Sequence, residues 1–327
     1  MRFKNRGSLF DMKIISLTCL CNNRPQLLEQ ENGYLCPSKD CIHSNAKNMY
    51  PKINGTPVII STILTDTVCN IDVNPYIERS NLSYPFLRNL LLNIRKLINI
   101  ESSVTKKNCE VFVNKLLDLN PKPKILVIGS GEKGSGTDYL WNNKDIEIHG
   151  TDIYDSENVN FVADSHYLPI DNNYYDGVWI QAVLEHVIDP SLVVNEIHRV
   201  LKKDGIVYAE TPFMQQVHEG AYDFTRYTVL GHRYLFKRFG LLDMGGNGGP
   251  EIVMIWSIRY FFWSVFRSPK IGRILSAFAS IFFRPFKYLI SDKSMYDSSS
   301  GVFFLGKKSE STITHKELVS LYKGNFK

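Results

Sequence analysis

Three groups of residues in this sequence have types and spacings suited to chemistry. The first is a set of thiols, Cys19, Cys21, Cys36 and Cys41. Thiolates suit Zn²⁺, a borderline-soft ion that accepts tetrahedral S₄ or S₃N sets. The pairs are spaced C-x-C and C-x₄-C instead of the usual C-x₂-C, and His43 could stand in for one cysteine. A small β-domain without metal is the alternative. The second group is the loop Gly129-Ser130-Gly131-Glu132-Lys133-Gly134-Ser135-Gly136, with Asp152 and Asp164 each ending a later apolar run. Glycines let a backbone turn sharply from strand to helix and let a ligand come close. The third is TPFMQQVHEGAYDFTRYT, Thr211 to Thr228, which holds His218, Asp223 and Arg226 among aromatics. A histidine is the usual general base near neutral pH. An Asp–Arg pair can bind substrate or simply shape the loop.

The whole chain sets bounds on these readings. It has 327 residues, 44% of them hydrophobic, which is ample for a sizeable core. The net charge of +5 permits an anionic partner but compels none. The start, Met1 to Asp11, is polar and basic and lacks the pattern of a signal peptide, so a cytoplasmic location is expected. In that compartment thiols stay reduced, and a cysteine cluster reads as a metal site before it reads as disulfides. Cys69 and Cys109 stand apart and read as packing residues.

The elements that must position these groups follow from pattern. Five parts are expected: 1–66, a zinc-ribbon-like module; 67–120, a helical lead-in; 121–250, the core that carries the chemistry; 251–300, a basic, aromatic insertion; and 301–327, a last strand and tail. In the module, Asn54-Gly55 is a type I′ turn signal before a strand at Thr56 to Ile60. In the lead-in, apolar spacing from Phe86 to Leu97 predicts one helix, and a second is expected over Cys109 to Leu119. In the core, Lys124 to Ile128 reads as a buried strand running into the glycine loop, with a helical stretch at Thr137 to Trp141. Further strands are expected at Ile146 to Thr151, Asn160 to Ala163, Tyr174 to Ile180 and Gly205 to Glu210. Helices are expected to start at Gln181 and at Pro190. Strands alternating with helices predict a parallel, doubly wound sheet. A final strand is expected at Val302 to Leu305.

A glycine loop plus an acid at the tip of the second strand suits a nicotinamide dinucleotide or S-adenosylmethionine, since both carry an adenosine ribose. The segments VIGSGEKGSG, GTDI, ADSHYLPIDNNYYDGVW, AVLEHVIDP and EIHRVLKKDGIVYAETP decide between them. In order and spacing, over about Ile125 to Pro212, they resemble the class I S-adenosylmethionine-dependent methyltransferases, closest to the type 11 branch. The resemblance implies a Rossmann-like, seven-stranded α/β sheet, with the zinc-ribbon-like module before it and the helical insertion ahead of its last strand. It implies that Gly129, Ser130, Gly131 and Gly134 line the cofactor. Asp152, with Ile153 beside it, would hold the ribose, and Asp164 and Ser165 would face adenine. Gln181 would sit beside the methyl group. For Asp164 the alternative is a helix cap.

The resemblance also shapes the expected reaction. No (Asp/Asn)-Pro-Pro-(Tyr/Phe) follows the fourth strand, which argues against methylation of an adenine amine. Ala182 stands three residues before Glu185-His186, where some quinone-type relatives carry a metal-binding Glu, so no catalytic metal is expected there. His218 to Thr228 resembles an H-x-x-x-Y-D-F-x-R-(F/Y)-T pattern of type 11 enzymes associated with envelope glycans. This implies a small-molecule, glycan or lipid-linked acceptor, methylated at a hydroxyl, with His218 as base and Asp223 and Arg226 organising substrate or loop. A ribosomal-RNA methyltransferase with a zinc ribbon and a non-catalytic cofactor-binding protein are the competing readings. The apolar C-terminal segment argues against nucleic acid, which needs solvated basic surface. Ile252 to Phe266 and Ile271 to Ile290 mix Phe, Trp and Ile with basic residues, as a helix in a membrane interface does. A helical pair packed on the core or on a dimer partner is the other possibility.

Overall fold

The computed structural model describes residues 15–43, 49–61, 63–64 and 103–326. The helix expected over Phe86 to Leu97 lies outside the described residues, as do Cys69 and the chain start.

The core begins with α1 (Ser103–Leu119), which packs Cys109, Phe112, Val113 and Leu116 onto the sheet. Then come β5 (Lys124–Ile128), α2 (Asp138–Trp141), β6 (Glu147–Asp152), β7 (Phe161–Ala163), β8 (Tyr175–Gln181), α3 (Pro190–Val200) and β9 (Leu201–Pro212). The chain closes with α4 (Val229–Leu235), β10 (Phe239–Asn247), α5 (Pro250–Phe266), α6 (Pro269–Phe283), α7 (Asp292–Ser298), β11 (Gly301–Lys308) and α8 (His315–Ser320). The core strands lie in the order β7-β6-β5-β8-β9-β11-β10. Pairing is parallel from β7 through β9, and β11 runs antiparallel between β9 and β10.

Two-residue periodicity divides the burial. On β5, Ile125 and Val127 face α1, while Leu126 and Ile128 join the opposite layer with Val193 and Ile197 of α3. Both faces of the sheet are therefore covered, which is the doubly wound arrangement expected.

The sheet is longer than the seven strands expected. Four further strands precede the core: β1 (Leu28–Gln30), β2 (Gly33–Leu35), β3 (Met49–Ile53) and β4 (Thr56–Ile59). The turn between β3 and β4 has Asn54 at φ 51° and Gly55 at φ 85°, the double positive φ of a type I′ hairpin. β4 then pairs in parallel with β7, Val58 opposite Val162 and Ile59 opposite Ala163, giving one eleven-stranded sheet. The added strands cover a sheet edge that would otherwise expose unpaired amides. Leu17, Leu20 and Leu27 of the module share one apolar cluster with Ile59, Leu168 and Ile170.

Two local readings needed correction. No regular helix starts at Gln181: Ala182 takes φ 54°, and only a 3-10 turn forms at Leu184–His186. β10, FGLLDMGGN, shows no alternation and was not anticipated. Gly246 is required by packing, because a methyl there would lie 2.4 Å from the Met295 carbonyl of α7.

Since module and core share one cluster, Ile59→Ala should destabilise the entire protein. Ile59 is fully buried, and removing such a side chain costs about 2–5 kcal/mol. Thermal melting should keep a single transition at lower temperature. A separate early transition would show instead that the module is an independent unit.

Candidate active site

The glycine loop turns where β5 ends. Gly129 takes φ 79°, in the left-handed region, and its amide donates to the Thr151 carbonyl at 2.9 Å. A methyl there would also lie 2.2 Å from Cγ2 of Val183. The loop after β5 is thus packed against the loop after β8. Ser130 is fully buried and turned inward, its hydroxyl donating to the carbonyls of Asn158 at 3.2 Å and Thr151 at 3.4 Å. Its amide also donates to the Thr151 carbonyl at 3.2 Å, so Ser130 serves to hold the loop against β6.

Asp152, at the tip of β6, accepts the Gly131 amide at 2.8 Å through Oδ2 and the Ile153 amide at 2.7 Å through Oδ1. An ionised carboxylate has about four lone-pair positions. Such an acceptor at a strand tip has the chemistry that ribose hydroxyls require. The neighbouring Ile153 is exposed, and the Tyr154 ring lies against Gly131. Tyr154 had no signal in the sequence beyond its place after the acid. At the end of β7, Asp164 and Ser165 are buried, and Asp164 Oδ1 accepts the His166 amide at 2.9 Å and His166 Nδ1 at 2.6 Å. Gln181 ends β8 beside Gly134, its Nε2 donating to the Ser135 carbonyl at 3.4 Å. Glu210 near the end of β9 accepts from Thr105 Oγ1 at 2.9 Å and Tyr208 Oη at 2.8 Å, and burial pushes its carboxyl up. No motif had singled it out.

The opposite wall is the loop after β9. Arg226 makes a two-pronged pair with Asp223, Nη2 donating to Oδ2 at 2.8 Å and Nη1 to Oδ1. Arg226 holds the Asp223 carboxyl well below the usual range, and Asp223 in turn raises the guanidinium. Asp223 Oδ2 also accepts the His218 amide at 2.9 Å. All three expected catalytic residues are thus brought together, the ion pair acting as the frame on which His218 is mounted.

Glu185 and His186, where no catalytic metal is expected from the sequence, belong to this group. The Phe224 amide donates to the Glu185 carbonyl at 2.8 Å, drawing the loop onto the 3-10 turn. Glu185 Oε1 then lies 3.6 Å from His186 Nε2 and 3.8 Å from His218 Nε2. Neither Glu185 oxygen receives a hydrogen bond among the described residues, and burial pushes its carboxyl up to about 8. The signal available in the sequence was the Glu-His pair directly after the fourth strand.

The thiol group belongs to the module whose strands lie at the opposite end of the strand order from β9. Sγ atoms of Cys19, Cys21, Cys36 and Cys41 all lie within 4.8 Å of one another, and Cys19 and Cys41 are 3.3 Å apart. Four ligands at about 2.3 Å from a tetrahedral Zn²⁺ have a similar mutual spacing, so the set fits that ion. His43 is not among them: its Nδ1 pairs with Ser61 Oγ at 2.8 Å. Burial pushes the Cys19 and Cys36 thiols up, the opposite of what a bound cation would do.

Residues 126–209 match the family model described as a methyltransferase domain. No curated protein sequence matches the chain significantly. Among solved structures, it is similar to a Galdieria sulphuraria protein described as a sarcosine dimethylglycine methyltransferase. That likeness has 16% identity and a TM-score of 0.43, over 63% of this chain and 86% of the other. It is also similar to phosphoethanolamine N-methyltransferase 2 of Haemonchus contortus, in complex with phosphomonomethylethanolamine and S-adenosylhomocysteine. There the identity is 16% and the TM-score 0.40, over 62% of this chain and 53% of that one.

Purified protein should carry zinc on the four thiolates under reducing conditions. Cys36→Ser should release it and lower the melting temperature, because metal affinity is folding free energy at such sites. Elemental analysis that finds equal zinc in both proteins would place the ion elsewhere.

Proposed function

We propose that the chain, which carries a class I S-adenosylmethionine-dependent methyltransferase domain over residues 126–209, methylates a hydroxyl of a small-molecule, glycan or lipid-linked acceptor at a membrane surface. Cofactor lies on the side of Gly129, Gly131, Asp152, Asp164 and Gln181. Acceptor enters on the side of His218, Asp223 and Arg226. Methyl transfer from a sulfonium is an in-line displacement with a good leaving group, so holding the two reactants in line is most of the task. A hydroxyl must also lose its proton, and the Glu185–His186–His218 group is the one poised to assist this.

One observation carries the membrane part of this reading. α5 and α6 form a hairpin whose inner face is made of small residues. A methyl at Gly272 would lie 2.5 Å from the Arg259 carbonyl, and Ser276 and Ser280 are buried. The large apolar side chains of α6 point outward: Phe278 is 65% exposed, Ile281 77% and Phe282 64%. A helix packed in water has the reverse pattern. Basic residues Arg267, Lys270, Arg273 and Lys287 border this face, as at an anionic interface. Among the described residues no helix is long and apolar enough to cross a membrane, so the hairpin would lie in the interface. It also touches the acceptor loop: Tyr260 Oη donates to the Val217 carbonyl at 3.0 Å, and Gln216 Nε2 to Ser257 Oγ at 3.2 Å. A lipid-linked acceptor held by the hairpin would arrive next to His218.

Labelled methyl from S-adenosylmethionine, supplied with fractionated extract, should enter the lipid or glycan fraction. Label found only in RNA would overturn the acceptor class. With the acceptor in hand, His218→Ala should lower turnover by ~10²–10⁴-fold with cofactor affinity and melting temperature unchanged. Wild-type turnover in that variant would remove His218 from the reaction.

Liposomes provide the second check. The protein should sediment with anionic vesicles, and Arg267→Glu combined with Arg273→Glu should weaken this by roughly thirtyfold or more, at ~1 kcal/mol per basic residue near the surface. Protein that stays in the supernatant with every composition would give the hairpin a different partner.

A further inference from the structure

We propose that Glu185, His186 and His218 form a binding site for a divalent transition-metal ion of the zinc class, distinct from the thiolate site. Their ligand atoms all lie within 4.8 Å of one another. The separations from Glu185 Oε1 to the two Nε2 atoms, 3.6 and 3.8 Å, are close to the spacing of neighbours about 2.0–2.2 Å from one ion. Two imidazoles with one carboxylate suit Zn²⁺, Fe²⁺ or Co²⁺ better than Mg²⁺ or Ca²⁺, which prefer all-oxygen sets.

Both histidines are held as metal ligands are held. His186 Nδ1 lies 2.6 Å from the Tyr222 carbonyl, to which it can only donate. His218 Nδ1 lies 3.4 Å from the Gln216 carbonyl, to which it can only donate, and 3.2 Å from Asp223 Oδ2. Each ring therefore carries its proton on Nδ1 and turns a bare Nε2 toward Glu185. A carboxylate or carbonyl behind each imidazole is the usual outer support of a metal-bound histidine. The two rings stand edge to face, centroids 5.0 Å apart, so neither blocks the other.

Glu185 supplies the independent reason for a cation. Its side chain is 1% exposed, and neither oxygen accepts a hydrogen bond among the described residues. A buried carboxyl group whose oxygens accept no hydrogen bond is costly, and a bound cation would supply the missing partner. Arg226 does not, because its guanidinium is occupied by Asp223 and the carbonyls of Gln215, Gln216 and Thr225. Ala182 has no donor to offer, and the third ligand comes instead from the loop after β9.

Three protein ligands leave a coordination position for an exchangeable oxygen. The use of that position rests on the hydroxyl-acceptor reading above. An acceptor hydroxyl bound there would release its proton to solvent. Its oxygen would form the new bond to the methyl carbon as the carbon–sulfur bond breaks, the electron pair passing to sulfur.

The test starts from protein with zinc already on its thiolates. Calorimetric titration with Zn²⁺, and with Co²⁺ followed by visible absorption, should show one further equivalent in the wild type. His218→Ala and Glu185→Gln should each weaken this by at least tenfold while retaining the first zinc. His218 is partly exposed, so its removal leaves the fold intact, and it decides the matter if Glu185→Gln melts early. A wild type that takes up no ion beyond the thiolate one, or a His218→Ala protein that binds as wild type does, would overturn the site. Label transfer that proceeds without the second ion would leave the methyltransferase reading standing and remove only the metal from it.

Discussion

The contact between Gly129 and Val183 is the constraint on which the rest of the site depends. β5 and β8 are neighbours in parallel register, Ile128 opposite Ile180, so the loops leaving them emerge side by side at the carboxyl edge of the sheet. That edge is where doubly wound folds bind ligands. With φ 79° and a side chain 2.2 Å from any added methyl, position 129 admits only glycine. The close approach packs the glycine loop directly against the turn that carries Glu185 and His186. Gly131 then reaches Asp152, and the two walls of the candidate site are fixed relative to each other by backbone packing.

The acceptor wall is built from charge. A bidentate Arg–carboxylate pair is strong and directional, and Asp223–Arg226 uses it to hold a loop that has little other regular structure. The loop is fastened again by Phe224 on Glu185 and by Tyr260 and Ser257 of α5. The apolar hairpin, the ion pair and the histidines are therefore one connected arrangement.

The half of the candidate site built from the glycine loop and the strand-tip acids was legible in the sequence because its geometry is local. A β-branched run, a glycine loop and an acid at each strand tip occur in order, and each residue stands near its own place in the chain. The half built from the loop after β9 was legible only in part. His218, Asp223 and Arg226 sit within one motif, but Glu185 joins them through a loop folded back from far along the chain, which no spacing reveals. Ala182 hid the 3-10 turn, since its left-handed φ breaks a helix that the apolar pattern AVLEHV suggests. β10 carries no strand signal because Gly246 serves the close approach of α7 and its neighbouring glycines erase the alternation of a strand. The pairing of β4 with β7 was hidden for a different reason, since edge pairing depends on the shape of two units and not on either sequence alone.

The central claim is that the tip of β6 holds the ribose of S-adenosylmethionine. Calorimetric titration with S-adenosylhomocysteine tests it without knowledge of the acceptor. Wild-type protein should bind, and Asp152→Ala should lose about 1.5–3 kcal/mol, roughly ten- to a hundredfold in affinity, through loss of a charge-assisted hydrogen bond. Equal affinity in the two proteins, with the variant still folded, would contradict the account.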